Sequence, residues 1–214
     1  MIEGPAKRPE DYLTAGRLHA ESIPTGFLSS FGPAFLGRLY SAIALAPDSC
    51  VLFVWNEQGK VTGFVSGTLS ITRCYQHVIL HNLVSLGVPV LLKNLSLRRM
   101  RKVFETLFYA KTEPETGATI PDVSAELLSI AVSVDARGQG VGKHLIEALD
   151  EFFISRGLIG DYRVVTAAED KRSNAFYRNA GFGFYRTFHH HDVPMNEYRK
   201  RPASVHQQAS TRAK

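Results

Sequence analysis

The chain of 214 residues is 44% hydrophobic, which is enough to bury one core and fits a single domain with an insertion or a tail. The N-terminal segment is polar and no apolar run approaches the roughly 20 residues that span a membrane, so we expect a cytoplasmic protein without a signal peptide or transmembrane helix. The net charge of +5 is matched by the five basic residues of the segment 199–214, which contains no acidic residue. We expect this segment to be a disordered tail that follows one domain over residues 1–198. Because the rest of the chain has no net charge, the charge predicts no stable binding of nucleic acid.

The first third of the chain predicts two amphipathic helices followed by two strands. The segments "EDYLTAGRLHAES" and "PAFLGRLYSAIAL" carry apolar residues at three- and four-residue intervals, and the turn-rich segment "IPTGFLSSFG" joins them. The apolar runs "CVLFVWN" and "KVTGFVSGTLS" are separated by "EQG", which is typical of an antiparallel hairpin.

Residues 71–123 are predicted to be a helical insertion. Leu97, Met100 and Phe104 recur at helical spacing, and the other side of the same segment is crowded by basic residues, namely Arg98, Arg99, Arg101 and Lys102. A solvated basic face is the favoured interpretation, and a contact with membrane or nucleic acid is the alternative.

From residue 124 onward, predicted strands and helices alternate. "SAELLSIAVSV" and "YRVVTAA" predict strands, and "GVGKHLIEALDEFFISRG" between them predicts a helix that ends at Gly157. "DKRSNAFYRNAG" predicts a short helix that begins at an aspartate cap and ends at a glycine. A strand, a glycine-rich loop and a helix in this order are typical of phosphate binding.

The loop "RGQGVG" has three alternating glycines directly before the predicted helix. Such a loop leaves backbone N–H groups uncovered at the positive end of the helix, an arrangement that suits a pyrophosphate. A Walker A loop is excluded because Arg137 stands where a glycine is required six positions before Lys143, and His144 replaces the magnesium-binding Ser or Thr. A Rossmann loop is excluded because its pattern requires a glycine three positions after Gly140, where this chain has Lys143.

The wider string "LLSIAVSVDARGQGVGKHL" resembles motif A of the GNAT superfamily of acyl-CoA-dependent N-acetyltransferases, with Arg137, Gly140 and Gly142 in register. "SNAFYRNAGF" resembles the second signature of that family, with Tyr177 in register. The resemblance spans residues 10–199. It implies an α+β fold, an α/β/α sandwich whose mixed, mostly antiparallel sheet carries helices on both faces, with the insertion between the third and fourth strands.

The resemblance also implies acetyl-CoA as the acyl donor. Asp170 stands where the family often has Asn, and Asn174 offers another side chain for the pantetheine. The residues that the resemblance assigns to acetyl-CoA are Ile130, Ala131, Val132, Arg137, Gly138, Gln139, Gly140, Val141, Gly142, Lys143, Asn174 and Tyr177.

Acetyl transfer by direct attack requires the amine as a free base, although a lysine-like amine has a pKa of about 10.4. The resemblance places a general base at Glu126, acting directly or through water, and a solvent-facing strand residue is the alternative interpretation. It assigns stabilisation of the oxyanion to the backbone N–H of Val132, in a splayed strand that also pairs with the pantetheine through Ile130. It assigns protonation of the leaving thiolate to Tyr177.

The acceptor leaves no clear signal in the sequence. We expect a small primary amine such as an amino sugar or amino acid, and a protein N-terminus or lysine is the alternative. A hypothesis of another class is a CoA-binding module that acts on membrane or RNA through its basic helix without turnover, against which stands the presence of both Glu126 and Tyr177. A homodimer is left open.

The segment "FHHHDVP" raises the question of a metal site, since His189 and His191 would share one face of a strand. No carboxylate or cysteine partner stands at a suitable spacing. The sequence therefore predicts no metal.

Overall fold

The computed structural model describes residues 2–24, 26, 28–80, 123–190 and 193–203. Within this part of the chain the strands are β1 Ile2–Gly4, β2 Ser49–Trp55, β3 Val61–Thr68, β4 Glu126–Val132, β5 Tyr162–Ala167, β6 Gly183–His190 and β7 Val193–Lys200. The helices are α1 Pro9–Ser22, α2 Pro33–Leu45, α3 over 71–80, α4 Val141–Ser155 and α5 Lys171–Asn179, with short 3₁₀ turns at Leu28–Phe31 and Val134–Ala136.

The seven strands form one sheet in the order β1-β2-β3-β4-β5-β7-β6. All neighbouring strands are antiparallel except β4 and β5, which are parallel. The expected mixed, mostly antiparallel sheet is therefore confirmed. Strand β1 was not predicted, because three residues at a polar N-terminus carry no periodic signal; β1 pairs along β2, with Ile2 opposite Trp55.

Helices cover both faces of the sheet, as expected. The core on one face joins α1, α2 and α3 to alternate residues of β2 such as Phe53. The core on the other face joins α4 and α5 to the intervening residues, such as Val54. This alternation follows from the pleat of a strand, which points successive side chains to opposite faces. The two faces are called below the α1/α2 face and the α4/α5 face.

Helices α1 and α2 approach each other closely at a pair of glycines. A Cβ added to Gly16 would lie 2.2 Å from the carbonyl oxygen of Pro33 and 2.8 Å from the backbone nitrogen of Gly37. A Cβ added to Gly37 would lie 3.0 Å from the Cα of Leu13. The absence of side chains at both positions fixes the distance between the two helices.

Strand β4 contains a β-bulge that ends its pairing with β5. Across β3, Ser66 pairs with Ser129 and Gly67 pairs with Leu127, so Leu128 is an extra residue in β4. The ladder between β4 and β5 consists of the single pair Glu126 and Arg163. Because a bulge bends and twists its strand, β4 leaves β5 immediately after that pair, and the sheet opens between the two strands.

The insertion begins where the sequence predicts it, between the third and fourth strands, with α3 over 71–80. Residues 81–122, which include the basic helical face, lie outside the described residues. The boundary of the tail needs correction, because β7 continues to Lys200 and includes Arg199. Both cations are held by buried carboxylates: Arg199 Nε donates to Glu197 at 2.7 Å, and Lys200 Nζ donates to Asp150.

We expect Gly16→Ala to destabilise the fold even though alanine is a better helix former than glycine by about 1 kcal/mol. The added methyl would overlap the backbone of α2, and overpacking of this kind costs about 1–3 kcal/mol. The matched control is Gly160→Ala, whose Cβ would have no atom within 4 Å. Urea titration should show a lower free energy of unfolding for Gly16→Ala only, and equal values for the two variants would contradict the assigned close packing.

Candidate active site at the splayed strands

The N-terminus of α4 presents uncovered backbone N–H groups. Gly140 is the N-cap residue in the left-handed conformation, with φ of 80°, and the first helical hydrogen bond runs from His144 N to Gly140 O at 3.0 Å. The N–H groups of Val141, Gly142 and Lys143 therefore have no partner within the helix. A Cβ at Gly138 or Gly140 would point into open space, and both residues are exposed. This geometry suits an anion.

Gly142 serves a different purpose from the two glycines before it. A Cβ added there would lie 2.8 Å from Cε2 of Phe176, on α5. The close contact between α4 and α5 therefore requires glycine at this position. The expectation that all three glycines open the loop to a phosphate needs this correction, because the missing side chain of Gly142 admits a phenyl ring.

Two other predicted loop residues, Arg137 and Gln139, use their side chains to hydrogen-bond to nearby backbone carbonyls. Arg137 Nε donates to the carbonyl oxygen of Val132 at 3.1 Å, and Gln139 Nε2 donates to the carbonyl oxygen of Asp135 at 2.8 Å. The exposed Lys143 lies 3.6 Å from Glu147, one helical turn further on, while Val141 is buried in the core of the α4/α5 face.

Strand β4 directs two of its backbone amides toward the opening in the sheet. Ala131 pairs with Phe64, and Ser133 N donates to Thr62 O at 2.8 Å, so these residues form the ladder with β3. In an antiparallel pair the bonding residues alternate, and the N–H groups of Ile130 and Val132 therefore point toward β5. Past Arg163 the ladder with β5 has ended, which leaves these N–H groups facing the opening.

Tyr177 lies in the same core as Ile130 and Val132, on the α4/α5 face. Its ring packs edge-on against Phe182 at a centroid distance of 5.5 Å, and only 7% of its surface is exposed. Burial raises the pKa of Tyr177 above its ordinary value, and the negative charge of Asp170 adds to the increase, so the phenol keeps its proton at neutral pH.

Asn174, predicted to contact the pantetheine, has its side chain engaged within the protein. Its Nδ2 donates to the carbonyl oxygens of Ala167 and Asp170, at 2.8 and 2.6 Å. Its Oδ1 accepts from Asn196 Nδ2 and from the Tyr198 hydroxyl, both at 2.8 Å. These bonds tie the end of β5 to the start of α5 and to β7, so Asn174 fixes the element that carries Tyr177. Its contact with a pantetheine stays a prediction.

Asp170, the departure from the family pattern, is the N-cap of α5. Its carboxylate accepts from the backbone N of Ser173 at 3.0 Å. Burial alone would raise its pKa, but hydrogen bonds from Ser173 and the charge of Arg172 outweigh burial and lower it. The aspartate is thus ionised and stabilises the helix start, as N-cap residues do.

Glu126 stands at the closed end of the opening and is paired with a cation. Arg163 Nε donates to Glu126 Oε2 at 2.7 Å, and the two side chains are 6% and 12% exposed. Proton transfer to this carboxylate would leave the guanidinium buried beside a neutral partner, which is unfavourable. The role of Glu126 as a base stays a prediction, and the ion pair weighs against it.

A match to a known family covers this part of the chain. Residues 106–182 match the acetyltransferase (GNAT) family, a range that includes β4, the glycine loop, α4, β5 and α5. The chain carries the sequence pattern of a GNAT acetyltransferase domain over this range. No curated protein matches it.

Solved structures share the fold of this chain at low sequence identity. A structure described as an acetyltransferase is 16% identical with a TM-score of 0.58, over 95% of this chain and 100% of that one. An N-acetyltransferase from Staphylococcus aureus Mu50 is 13% identical with a TM-score of 0.58, over 94% and 100%. An aminoglycoside 6'-N-acetyltransferase complexed with coenzyme A is 14% identical with a TM-score of 0.56, over 95% and 98%.

On the α1/α2 face lies a buried polar pair that sequence reasoning missed. Nδ1 of His19, on α1, is hydrogen-bonded to the hydroxyl of Tyr40, on α2, and both residues are buried. A histidine within the amphipathic helix "EDYLTAGRLHAES" is the one sequence signal that could have pointed to this pair.

The metal hypothesis has no support from the described residues. They contain no group of three or more His, Cys, Asp or Glu side chains arranged to hold a metal ion. His191 lies outside them, so the predicted absence of a metal stays a prediction. None of the described helices has both the length and the apolar character needed to cross a membrane.

His19 makes stability depend on pH. Burial lowers its pKa from 6.5 to about 4, whereas the unfolded chain binds a proton at the ordinary value. Neutral His19 therefore stabilises the fold fully above pH 6.5, and this contribution, at most about 3 kcal/mol, is lost as the pH falls through 4. Urea titrations at about pH 7, 5.5 and 4 should show the stability of the wild type falling toward that of His19→Asn, which does not titrate. A difference that stays constant with pH would contradict the buried neutral histidine.

Proposed function

We propose that this protein transfers the acetyl group of acetyl-CoA to the primary amine of a small molecule by direct attack. The observation that carries the proposal is the opening between β4 and β5 beside the helix N-terminus at Gly140. One end of this groove suits an anion and the other presents two strand amides, on the face of the sheet where Tyr177 also packs. The order matches an elongated donor with a pyrophosphate at one end and a thioester at the other.

The chain's own groups fit acetyl-CoA. The N–H groups of Val141, Gly142 and Lys143 would bind the pyrophosphate, where open space at Gly138 and Gly140 admits it. The backbone of Ile130 would pair with the pantetheine amide along the edge of β4. The bound coenzyme A of the aminoglycoside acetyltransferase, whose fold this chain shares, supports the same donor.

Acetyl transfer forms a C–N bond and breaks a C–S bond. As the amine attacks, the Val132 N–H would donate to the carbonyl oxygen on which negative charge develops. One such preorganised donor is worth about 2.7–4 kcal/mol in other enzymes. Since the donor is backbone, this function depends on the direction of β4 rather than on a valine side chain.

Tyr177 would donate its hydroxyl proton to the leaving sulfur. The burial that raises the pKa of the phenol also disfavours a free thiolate in the same desolvated groove, so proton donation remains favourable there. The Asn174 hydrogen bonds and the contact between Gly142 and Phe176 hold α5, and with it Tyr177, in place.

We expect Gly140→Asp to weaken acetyl-CoA binding, because a carboxylate would enter the space proposed for the pyrophosphate. The matched control is Gly157→Asp at the other end of α4, where φ is 81° against 80° at Gly140 and an added Cβ also meets open space. Both variants carry the same backbone strain and the same charge change. Calorimetry should show weaker binding for Gly140→Asp only, and unchanged affinity in that variant would remove the support for a phosphate site.

Tyr177→Phe keeps the packing of the ring and removes the proton donor. General acid catalysis contributes about 10²- to 10⁴-fold, so the single-turnover rate should fall by that order while the Kd of acetyl-CoA holds. Tyr185→Phe on β6, with 38% of the tyrosine exposed, is the control. Full activity of Tyr177→Phe in single turnover would show that Tyr177 is structural.

A further inference from the structure

A groove of about 590 Å³ lies along α1 and α2. Residues 6–9, Tyr12 and Leu13 line it from the side of α1, and the α2 face that carries Arg38 lines it from the other side. The buried Gly37 also lines it, where α2 closely approaches α1. Small-molecule sites typically have volumes of about 300–1,000 Å³, so the groove has room for a small organic molecule.

This groove is separate from the site proposed for acetyl-CoA. At 3.6 residues per turn, the α2 residues that line the groove lie on the side of the helix opposite Leu36 and Tyr40, which pack against the sheet. The glycine loop precedes α4, whose core residues pack on the other face of the sheet. A ligand in the groove is therefore separated from the proposed acetyl-CoA site by the helix layer and the sheet.

Three cations line this groove, which is called below the basic groove. Lys7 and Arg8 precede or cap α1, Arg38 lies on α2, and all three residues are exposed. The described lining contains no acidic residue. Asp11, at the start of α1, is buried; its carboxylate accepts from the backbone nitrogens of Lys7 and Arg8 at 2.9 and 3.1 Å and lies 3.8 Å from the Arg8 guanidinium. Counted against the three cations, this one carboxylate leaves two positive charges in excess.

Two of these cations are held in place by neighbouring groups. Lys7 Nζ lies 4.3 Å from the centre of the Trp55 ring, and Arg8 Nη2 donates to the carbonyl oxygen of Gly59 at 3.4 Å. An ammonium has three N–H donors and a guanidinium has five, so these contacts leave donors for a ligand. A side chain whose position is already fixed also loses less conformational entropy when it binds an anion.

From its charge and its size, we infer that the basic groove binds a small organic phosphate, at a second site that the proposed acetyl transfer does not use. A phosphate monoester carries about 1.5 to 2 negative charges at pH 7, which matches the excess of two positive charges, whereas a carboxylate carries one. Its oxygens also suit Arg8 and Arg38, because a guanidinium binds a phosphate through two parallel hydrogen bonds.

The apolar part of the lining favours a phosphate that carries a flat organic body over inorganic phosphate. Pro9, Leu13 and Ala34 line the same groove as the cations. The Tyr12 ring lines it as well, and an edge-on contact with Phe53, at a centroid distance of 5.7 Å, holds that ring in place. Aromatic groups of a ligand stack on such a ring. Nucleoside monophosphates and aryl phosphates combine both properties.

The first test measures binding of uridine monophosphate and phenyl phosphate by calorimetry at about 0.15 M salt, which screens unspecific attraction between charges. Inorganic phosphate, which lacks the organic body, and uridine, which lacks the phosphate, are the matched controls. Both esters should bind at least about 10-fold more tightly than either control, since burial of the ring and pairing of the phosphate each contribute. Equal affinity for inorganic phosphate, or no binding of either ester, would overturn the inference.

The second test locates the ligand with variants. Arg38→Gln and Lys7→Gln should each weaken binding of phenyl phosphate about 10- to 100-fold, because each removes a charged hydrogen-bond donor. Arg17→Gln, at an exposed α1 residue outside the groove, makes the same change of charge and should bind as the wild type does. Equal weakening in all three variants would show unspecific attraction and contradict a defined site.

The third test uses Trp55, the one tryptophan of the chain, whose fluorescence reports on its contact with Lys7. Phenyl phosphate should change this emission in the wild type and in Gly140→Asp alike, because the phosphate alters the position of the Lys7 ammonium over the ring. Binding without a change in emission, or binding that is lost in Gly140→Asp, would place the ligand elsewhere and defeat the inference. Neither acetyl-CoA nor an amine takes part, so these failures would leave the proposed acetyl transfer standing.

Discussion

The bulge at Leu128 is the constraint on which the rest of the site depends. One extra residue in β4 ends its ladder with β5 after the pair Glu126 and Arg163. The strand then turns the N–H groups of Ile130 and Val132 toward a gap instead of a neighbouring strand. A single backbone irregularity thus creates the opening and supplies its hydrogen-bond donors.

A gap in the middle of a sheet needs support on both sides, because unpaired strand edges are otherwise unstable or prone to pair with other chains. The ion pair of Arg163 and Glu126 closes one end of the gap. On the side of β5, all six strand residues pair with β7, and Asn174 ties β5 to α5 and β7. The gap is therefore bounded by two strands that are each hydrogen-bonded along their other edge, and polar side chains add to the apolar cores in holding them.

Sequence reasoning predicted the elements better than it predicted the contacts between them. The bounds of α2 agree with the segment 33–45, because regular apolar spacing and Pro33 mark the helix locally. The glycine loop and the Asp170 cap were also evident from neighbouring residues. The bulge, the partner of Glu126 and the hydrogen bond between His19 and Tyr40 were not, since each joins residues that are far apart in the sequence and no local spacing encodes them.

The glycine motif shows why a local pattern can be recognised correctly and interpreted incompletely. Gly140 adopts a left-handed conformation that faces open space, whereas Gly142, two residues later, lies against the ring of Phe176. The absence of a side chain at Gly140 would leave room for an anion, and its absence at Gly142 lets α4 and α5 pack closely. Because Phe176 precedes Tyr177 on α5, the contact at Gly142 holds the helix of the proposed pyrophosphate site against the helix that carries the proposed proton donor. A displacement of either helix would therefore move both proposed ends of the donor site together.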